Sequence, residues 1–201
     1  MDNPLVELRR YTLHPGRRDD LVALFERHLV AGQEEVGMRI EGVFADVDAP
    51  ERFVWLRSFA DAAGRSAGLR AFYGGPVWAE HREAANATMV DFSDVLLLQR
   101  VSGSFAPSGG AEPRVLVVVR WGGDDTGTGP PLGASAVVLR TADVADDFPA
   151  LPVRPEPAAV WCAAFPDAAT AGAARGRLAT APDWAGAEVA ELTPVPWSAW
   201  R

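Results

Sequence analysis

Residues 52–63, RFVWLRSFADAA, recur in degraded form 106 positions later, where residues 158–169 read AAVWCAAFPDAA. The ungapped register keeps a Val-Trp pair, a phenylalanine and an Asp-Ala-Ala triplet. It also places residues 76–79, PVWA, on residues 182–185, PDWA. Chance is a poor explanation for tryptophans, a phenylalanine, an aspartate and a proline that all repeat in one register. The sequence therefore predicts an internal repeat of about half the chain.

The first copy shows the periodicities of strands and helices. Alternating apolar residues predict strands, and apolar residues at helical spacing predict helices. Gly37 is expected to end the first helix, and Gly74-Gly75-Pro76 to interrupt the second. The expected elements are strands over residues 4–13, 38–47, 52–59 and 90–100, and helices over residues 17–36, 61–73 and 76–86. Their order, β-α-β-β-α-β, is that of a ferredoxin-like half.

The predicted domains are residues 1–100 and residues 114–201, joined by a linker over residues 101–113 that is rich in Gly, Ser and Pro. In the second domain, residues 122–133 are rich in Gly, Asp and Pro where the first domain has its long helix, so the second copy is degenerate. Each half would leave one sheet face open, and the two faces can cover each other. The predicted fold class is α+β, with two tandem ferredoxin-like halves that form an intramolecular α+β barrel.

The composition excludes several classes of function. The net charge of −8 argues against a nucleic-acid partner, which needs clustered basic residues. The chain has no lysine, which removes Schiff-base chemistry, a pyridoxal phosphate anchor and a phosphate-loop lysine. No apolar run reaches the ~18 residues of a membrane span, and the N-terminus lacks a signal-peptide pattern. Together with a single cysteine, Cys162, these features predict a cytoplasmic protein with no membrane partner.

No pattern in the sequence indicates a metal or a cofactor, and none is expected. The histidines, His14, His28 and His81, are scattered, and only one cysteine is present. Residues 64–68, GRSAG, match the G-x-S-x-G pattern of serine hydrolases, but they fall inside an expected helix and not on a strand-to-helix turn. We interpret this match as accidental. A haem with His81 as its axial ligand is left open.

The first half resembles the NIPSNAP family, a branch of the dimeric α+β barrel superfamily. The resemblance rests on residues 6–11 (VELRRY), 52–59 (RFVWLRSF), 72–78 (FYGGPVW) and 81–89 (HREAANATM). It covers about residues 4–100, whereas the second half is similar only through Val160-Trp161, Trp184 and residues 192–194. The resemblance implies a fold more than an activity. Relatives in the superfamily include cofactor-free monooxygenases, small-molecule cyclases, haem-degrading enzymes and non-catalytic proteins.

A group of polar residues is predicted to share one face of the sheet. Glu7, Arg9 and Tyr11 alternate along the first strand, and Arg57 lies on the strand expected beside it. If that face lines the barrel interior, these side chains would form a polar pocket. The alternative is a structural ion-pair network between the halves.

His81 is the leading candidate for acid–base chemistry. It lies on a short helix expected near one mouth of the barrel, and histidine titrates near neutral pH. The structural alternative is a histidine that caps or packs under this helix. The repeat replaces His81 by Ala187, Arg57 by Ala163 and Tyr73 by Ala179. Polar groups that only one half keeps indicate a single site, in the first half.

Aromatic residues complete the candidate site. Trp55 and Trp78 could stack on a ligand, but both recur as Trp161 and Trp184, which favours core packing. Tyr73, Asn86 and Met89 lie in the stretches that carry the family resemblance. The predicted catalytic residues are His81, Arg57, Tyr11 and Glu7. The predicted substrate-binding residues are Arg9, Trp55, Tyr73, Trp78, Asn86 and Met89.

Two functions from different classes agree with these features. The first is a cofactor-independent enzyme of bacterial secondary metabolism, of cyclase, isomerase, dehydratase or monooxygenase type, which binds an apolar small molecule in the barrel and transfers protons through His81. The alternative is a non-catalytic NIPSNAP-type binding or interaction protein with a structural polar core. A cavity that reaches His81 would favour the enzyme, and a packed barrel would favour the alternative. A small molecule is the expected partner, and a homodimer is left open.

Overall fold

The computed structural model of the protein describes residues 3–107 and 109–200. Its strands are β1 (Leu5–Leu13), β2 (Arg39–Asp46), β3 (Arg52–Phe59), β4 (Met89–Asp91), β5 (Val95–Ser102), β6 (Arg114–Trp121), β7 (Ala136–Thr141), β8 (Ala158–Phe165) and β9 (Glu188–Pro194). The expected strands are confirmed, except that the last strand of the first half is divided into β4 and β5. β5 also continues two residues into the segment expected to be a linker.

The helices begin and end at residues whose chemistry suits those positions. They are α1 (Arg18–Leu24), a π-helical stretch (Phe25–Leu29), α2 (Val30–Glu34), α3 (Ala62–Tyr73), α4 (Pro76–Asn86) and α5 (Ala168–Thr180). The Asp61 side chain accepts a hydrogen bond from the Gly64 amide at the start of α3, and Asp167 caps α5 in the same way. Gly37 takes a φ of 85° just after the first helical rod, a conformation that only glycine adopts without strain.

Eight of the strands form a closed antiparallel barrel. They lie in the order β3-β2-β9-β6-β8-β7-β5-β1, and β1 pairs with β3 to close the ring. β4 extends the edge of β1 beyond the end of β5. Residues 5–102 contribute the order β5-β1-β3-β2, and residues 114–194 contribute β9-β6-β8-β7. The fold class is therefore a mixed α+β fold with a closed β-barrel.

The interior of the barrel is packed with apolar side chains from both halves. Val6 and Leu8 of β1 meet Val117 of β6 and Val160 of β8 there, and Trp200 fills one end. A packed interior is what the non-catalytic alternative predicts, so the barrel interior does not provide a ligand cavity of the expected kind.

The outer face of the sheet is covered differently in the two halves. In the first half, α1, α2, α3 and α4 pack over it with a layer of apolar and aromatic residues. In the second half α5, the turn at residues 182–184 and Leu132 do so. Residues 122–135, all of which are described, form neither a helix nor a strand. The strands of the first half are thus buried on both faces, as the burial of almost every residue of β1 and β3 shows.

Candidate functional site

The predicted polar face lies outside the barrel wall, against the helices. Glu7 pairs with Arg57 across β1 and β3, and Arg9 pairs with Trp55 in the same register, so all four side chains project to one face. Trp55 packs in the layer below the helices, whereas the barrel interior is formed by the alternate residues of these strands. The condition for a polar pocket inside the barrel, that this face lines the interior, is not met: residues of alternate parity point in opposite directions, and Val6 and Leu8 of β1 are the inward ones.

Glu7 is the centre of a buried ion cluster. Its carboxylate accepts hydrogen bonds from Arg9 Nη1 at 2.7 Å, from Arg57 Nε at 2.8 Å and from Arg65 Nε at 2.7 Å. The side chains of Glu7, Arg9 and Arg57 are fully buried, and that of Arg65 is 1% exposed. Arg65 also donates to Asp146 Oδ1 at 3.2 Å. The Glu7 carboxylate on β1 therefore joins this strand to β3 and to helix α3.

The cluster fixes the charge of Glu7. Burial by itself would raise the pKa of this carboxyl group, but the guanidinium groups of Arg57, Arg9 and Arg65 outweigh burial and hold its pKa well below the usual range. With its pKa held this low, Glu7 is an anion near neutral pH and is not suited to take up a proton there.

Two phenol groups lie beside the ion cluster, Tyr11 on β1 and Tyr73 at the end of α3. Arg9 Nε donates a hydrogen bond to the Tyr11 hydroxyl at 2.8 Å. Arg57 Nη1 donates to Gln33 Oε1 at 2.9 Å and contacts the Tyr73 hydroxyl at 3.4 Å. Burial raises the pKa of Tyr11. Tyr11 is therefore a neutral phenol whose oxygen already accepts a hydrogen bond, so its own proton is available for a ligand oxygen.

A cavity of about 530 Å³ opens beside these phenols. Its walls are mainly aromatic and apolar, with polar groups from Tyr11, Tyr73, Asn86 and the rim residue Arg70. The lining residues are Tyr11, Arg70, Tyr73, Gly74, Trp78, Asn86, Met89, Phe92, Phe148, Ala150 and Leu151. The size and the small number of polar groups are typical of a small-molecule site. We call this space the outer cavity.

A smaller space of about 30 Å³ adjoins the outer cavity. The two share Tyr11, Tyr73, Trp78 and Met89 as wall residues. The other walls of the smaller space, which we call the inner chamber, are Leu21, Phe25, Leu29, Gln33, Trp55, Phe72 and Ala85. The π-helical stretch contributes Phe25 and Leu29 to these walls, and such stretches are often found at functional sites. The inner chamber has room for roughly one oxygen-sized group.

The second half closes one side of the outer cavity. Residues 142–157, which we call the β7–β8 segment, cross to the first half and place Phe148 and Leu151 in the cavity wall. Asp146 anchors this segment to Arg65, and the Arg154 amide donates a hydrogen bond to the Val95 carbonyl at 2.8 Å. The corresponding connection in the first half, between β2 and β3, covers only residues 47–51. The cavity thus depends on both halves of the chain.

His81 lies apart from the cavity. On α4 it is turned toward the first helical rod, where its ring stacks on that of His28 with 3.9 Å between the ring centroids. It lines neither the outer cavity nor the inner chamber. The cavity that would favour an enzyme using His81 is therefore not seen among the described residues, because the face of α4 that carries Trp78 and Asn86 is the one turned to the outer cavity. A haem or proton-transfer role for His81 gains no support from this position.

The other predicted residues are distributed over the site. Tyr73, Trp78, Asn86 and Met89 line the outer cavity, whereas Trp55 is fully buried and reaches only the inner chamber. Core packing, which the sequence favours for both tryptophans, describes the buried Trp55, and the half-buried Trp78 packs against the same core while it also lines the outer cavity. Cys162, in the barrel wall of the second half, has a thiol whose pKa burial raises to about 12.

Sequence reasoning missed two buried members of the cluster, Gln33 and Arg65. Gln33 continues the buried positions Leu21, Phe25 and Leu29 at intervals of four residues, and Arg65 precedes the buried Leu69 by four. A polar residue on the apolar face of a predicted helix was the available signal. Arg65 belongs to the GRSAG sequence, and this stretch lies inside α3, in agreement with the interpretation of that motif as accidental.

Metal and membrane features are not seen in the described part of the chain. Within residues 3–107 and 109–200, no three His, Cys, Asp or Glu side chains are close enough to hold a metal ion. In the same residues, no helix has both the length and the apolar character that a membrane crossing needs.

Residues 6–104 match the family model described as NIPSNAP. This part of the chain belongs to the NIPSNAP family, which confirms the resemblance predicted for residues 4–100. No curated protein sequence matches the chain.

Solved structures with similar folds fall into two groups. A NIPSNAP-like domain protein from Burkholderia xenovorans is 26% identical; the match covers 53% of this chain and 91% of that one, with a TM-score of 0.45. A proposed monooxygenase from Lactobacillus acidophilus matches 96% of this chain and 94% of its own, at 12% identity and a TM-score of 0.55. A proposed monooxygenase from Fusobacterium nucleatum matches 96% and 93%, at 9% identity and a TM-score of 0.54. At these identities the latter two show that the whole chain shares their fold.

Proposed function

We propose that the NIPSNAP domain binds an apolar small molecule in the outer cavity and holds one oxygen atom of that molecule at Tyr11 and Tyr73. The observation that carries this proposal is the position of two phenols, each beside a buried arginine, at the inner end of an otherwise aromatic cavity of about 530 Å³. A carbonyl or enol oxygen would accept a hydrogen bond from the Tyr11 hydroxyl, and the hydrogen bond from Arg9 to the Tyr11 oxygen would strengthen that donor.

The chemistry that such an arrangement supports is stabilisation of negative charge on the ligand oxygen. Hydrogen-bond donors fixed beside a developing oxyanion lower the barrier to enolisation, and enolisation is common to isomerisation, cyclisation, dehydration and cofactor-independent oxygenation. The two fold relatives described as proposed monooxygenases are compatible with this class. A role in bacterial secondary metabolism is part of the same proposal and rests on the apolar character of the cavity.

A specific observation favours a second function, ligand binding without catalysis. No histidine or carboxylate is present among the described residues that line the outer cavity. A proton taken from carbon would therefore go to a water molecule or to a basic group of the ligand itself. Without such an acceptor, the same site would bind its ligand and leave it unchanged.

Ligand binding can be tested by calorimetric titration of a panel of aromatic ketones and phenols. We expect saturable binding of some members and a loss of about three- to tenfold in affinity in Tyr73→Phe, the effect of one hydrogen bond. Trp78→Phe should weaken binding as well, whereas the matched variant Trp184→Phe in the second half should leave it unchanged. Failure of the whole panel to bind, or equal effects of the two tryptophan variants, would contradict the proposal.

Catalysis can be separated from binding by following hydrogen exchange in a bound ketone. If the site stabilises an enolate, the protein will accelerate exchange of the protons next to the carbonyl with deuterated solvent, as seen by NMR. Tyr11→Phe should remove most of this acceleration. Binding without any acceleration would support the non-catalytic function instead.

We also infer that the two halves are tandem copies of one ferredoxin-like unit and that the second is degenerate. The strand orders of residues 5–102 and 114–194 correspond position by position. Asp61 and Asp167, which the sequence repeat aligns, cap the start of α3 and α5 in the same way. The second copy lacks the long first helix, so it offers its partner a sheet, one helix and the β7–β8 segment.

A further inference from the structure

The ion cluster behind the phenols carries more positive than negative charge. Three buried guanidinium groups, those of Arg9, Arg57 and Arg65, face the carboxylates of Glu7 and Asp146. Asp147 lies 3.5 Å from Arg65, but it is 43% exposed and also faces the exposed Arg70. Counting Asp147 together with Arg70 adds one negative and one positive charge, so the excess of positive charge is unchanged. One positive charge in the cluster is therefore uncompensated by side chains.

Two buried hydrogen-bond donors lie at a wall of the inner chamber, on Trp55, and behind its walls, on Arg9. Arg9 Nη2 and Trp55 Nε1 are buried and have no hydrogen-bond partner among the described residues. The Arg9 guanidinium lies 5.5 Å from the centre of the Trp55 ring and 5.4 Å from that of Tyr11, and Trp55 and Tyr11 are both walls of the chamber. A buried donor without an acceptor costs about 1–3 kcal/mol, so an acceptor in this space would be bound favourably.

We propose that the inner chamber receives an anionic oxygen of the ligand, so that the protein selects the deprotonated form of a phenol, an enol or a carboxylic acid with an apolar body. The apolar body would occupy the outer cavity, and the anionic oxygen would accept hydrogen bonds from the Tyr11 and Tyr73 hydroxyls while supplying the missing negative charge. This inference rests on the proposed function, since it names the ionisation state of the ligand that binds there.

Charged and titratable groups surround the chamber on four sides. β1 contributes Glu7, Arg9 and Tyr11, β3 contributes Arg57, and the β7–β8 segment contributes Asp146 and Asp147. Helix α3 contributes Arg65, Arg70 and Tyr73. The first helical rod and α4 contribute His28 and His81, which stack on each other outside the chamber. Glu7 and Asp146 are ion-paired with arginines of the cluster, and because the arginines outnumber these two carboxylates, the net charge of the cluster is positive.

A coloured phenol tests the ionisation state directly. The phenol and phenolate forms of para-nitrophenol absorb at different wavelengths, so its pKa can be measured when free and when bound to the whole protein. We expect the bound probe to have a pKa lowered by about one unit or more, the effect of a neighbouring positive charge. The variant Arg9→Met, which removes the surplus charge, should abolish the shift if it folds. If Arg9→Met does not fold, the pKa of the probe bound to the unchanged protein still tests the proposal.

The carboxylate source is tested separately with 2-naphthoate and its neutral carboxamide, which have the same size. Calorimetry should show the carboxylate bound about tenfold or more tightly than the amide. A bound phenol with an unchanged or raised pKa, together with equal affinity for the two naphthyl compounds, would overturn the anion inference and leave the proposed function intact. If ketones, phenols and carboxylates all fail to bind, the proposed function itself fails.

Discussion

In both halves of the chain, a layer of side chains lies between the sheet and the helices. The matching strand positions carry buried charged residues in the first half and apolar residues in the second. In the first half, the register of β1 and β3 joins Glu7 to Arg57 and Arg9 to Trp55. In the second half, β6 and β8 join Leu116 to Ala163 and Val118 to Trp161 at the corresponding places.

These residues of the second half form an ordinary apolar layer under α5. Trp161 corresponds to Trp55, whereas Leu116, Val118 and Ala163 stand where the first half has Glu7, Arg9 and Arg57. An apolar layer is therefore sufficient to hold a helix on this sheet, and stability alone does not require Glu7 and its arginines.

The cost of the ion cluster is the more informative side of this comparison. Burying three arginines and a glutamate removes them from water, and well-packed apolar residues are often as stabilising or more so. A charged layer that the fold does not need, placed behind a cavity, agrees with the proposed role in ligand binding. The second half has no such layer and supplies Phe148 and Leu151 to the cavity of the first.

The largest expected effect is that of breaking the cluster in the first half. Glu7→Gln leaves three buried guanidinium groups with one carboxylate fewer, which should lower the free energy of unfolding by about 3–5 kcal/mol. Urea denaturation followed by circular dichroism measures this change. The control Asp147→Asn removes a much more exposed carboxylate and should lower the free energy of unfolding far less. A loss for Glu7→Gln as small as that of the control would show that the cluster is not a tightly coupled unit.

The next prediction converts the first half to the chemistry of the second. The combined variant Glu7→Leu, Arg9→Met and Arg57→Met removes the three fully buried charges, and Arg65 keeps Asp146 as its partner. We expect it to recover roughly 2 kcal/mol or more of the stability that Glu7→Leu alone loses, because apolar residues of similar volume replace the ions. The same variant should no longer bind ligands in the outer cavity. If it is less stable than Glu7→Leu, the two layers are not interchangeable.

The pH dependence of stability should also separate the two halves. The pKa of Glu7 is lower in the folded protein than in the unfolded chain, so the unfolded chain binds the proton more tightly. The contribution of Glu7 is fully present above the unfolded pKa of about 4.3 and is lost as the pH falls toward the folded pKa. Within that window, the slope from this group approaches ~1.4 kcal/mol per pH unit. The slope of the combined variant should be lower by this amount, and an identical slope would contradict the prediction.

The smallest effect expected is spectroscopic. The only tyrosines of the chain are Tyr11 and Tyr73, so the ultraviolet absorbance of tyrosinate reports on this site alone. In Tyr73→Phe, the remaining phenol should ionise above the usual pKa of about 10, because burial raises the pKa of Tyr11. Urea should return the titration to the usual value. A normal titration in the folded variant would mean that Tyr11 is open to water.

Much of the fold could be predicted from the sequence because its elements have strong local signals. β3 and α4 begin and end at the expected residues, and α1 to α2 forms the expected first rod. Five residues that the sequence predicts for the candidate site line the outer cavity: Tyr11, Tyr73, Trp78, Asn86 and Met89. Phe148 and Leu151 were not, because a connection between strands has no periodicity that says where it docks.

The sequence by itself determined the family of the first half, the order of its strands and helices, and which side chains share a face of each strand. These depend on local periodicity and on specific stretches such as residues 72–78. Only the tertiary structure decided which face is inside the barrel.

Strands β1 and β3 are buried on both faces, by the barrel on one side and by helices on the other, so neither face has the polar pattern that marks a solvent-exposed side. The polar face of Glu7, Arg9 and Tyr11 is therefore directed to the helices and to a cavity that the second half helps to close.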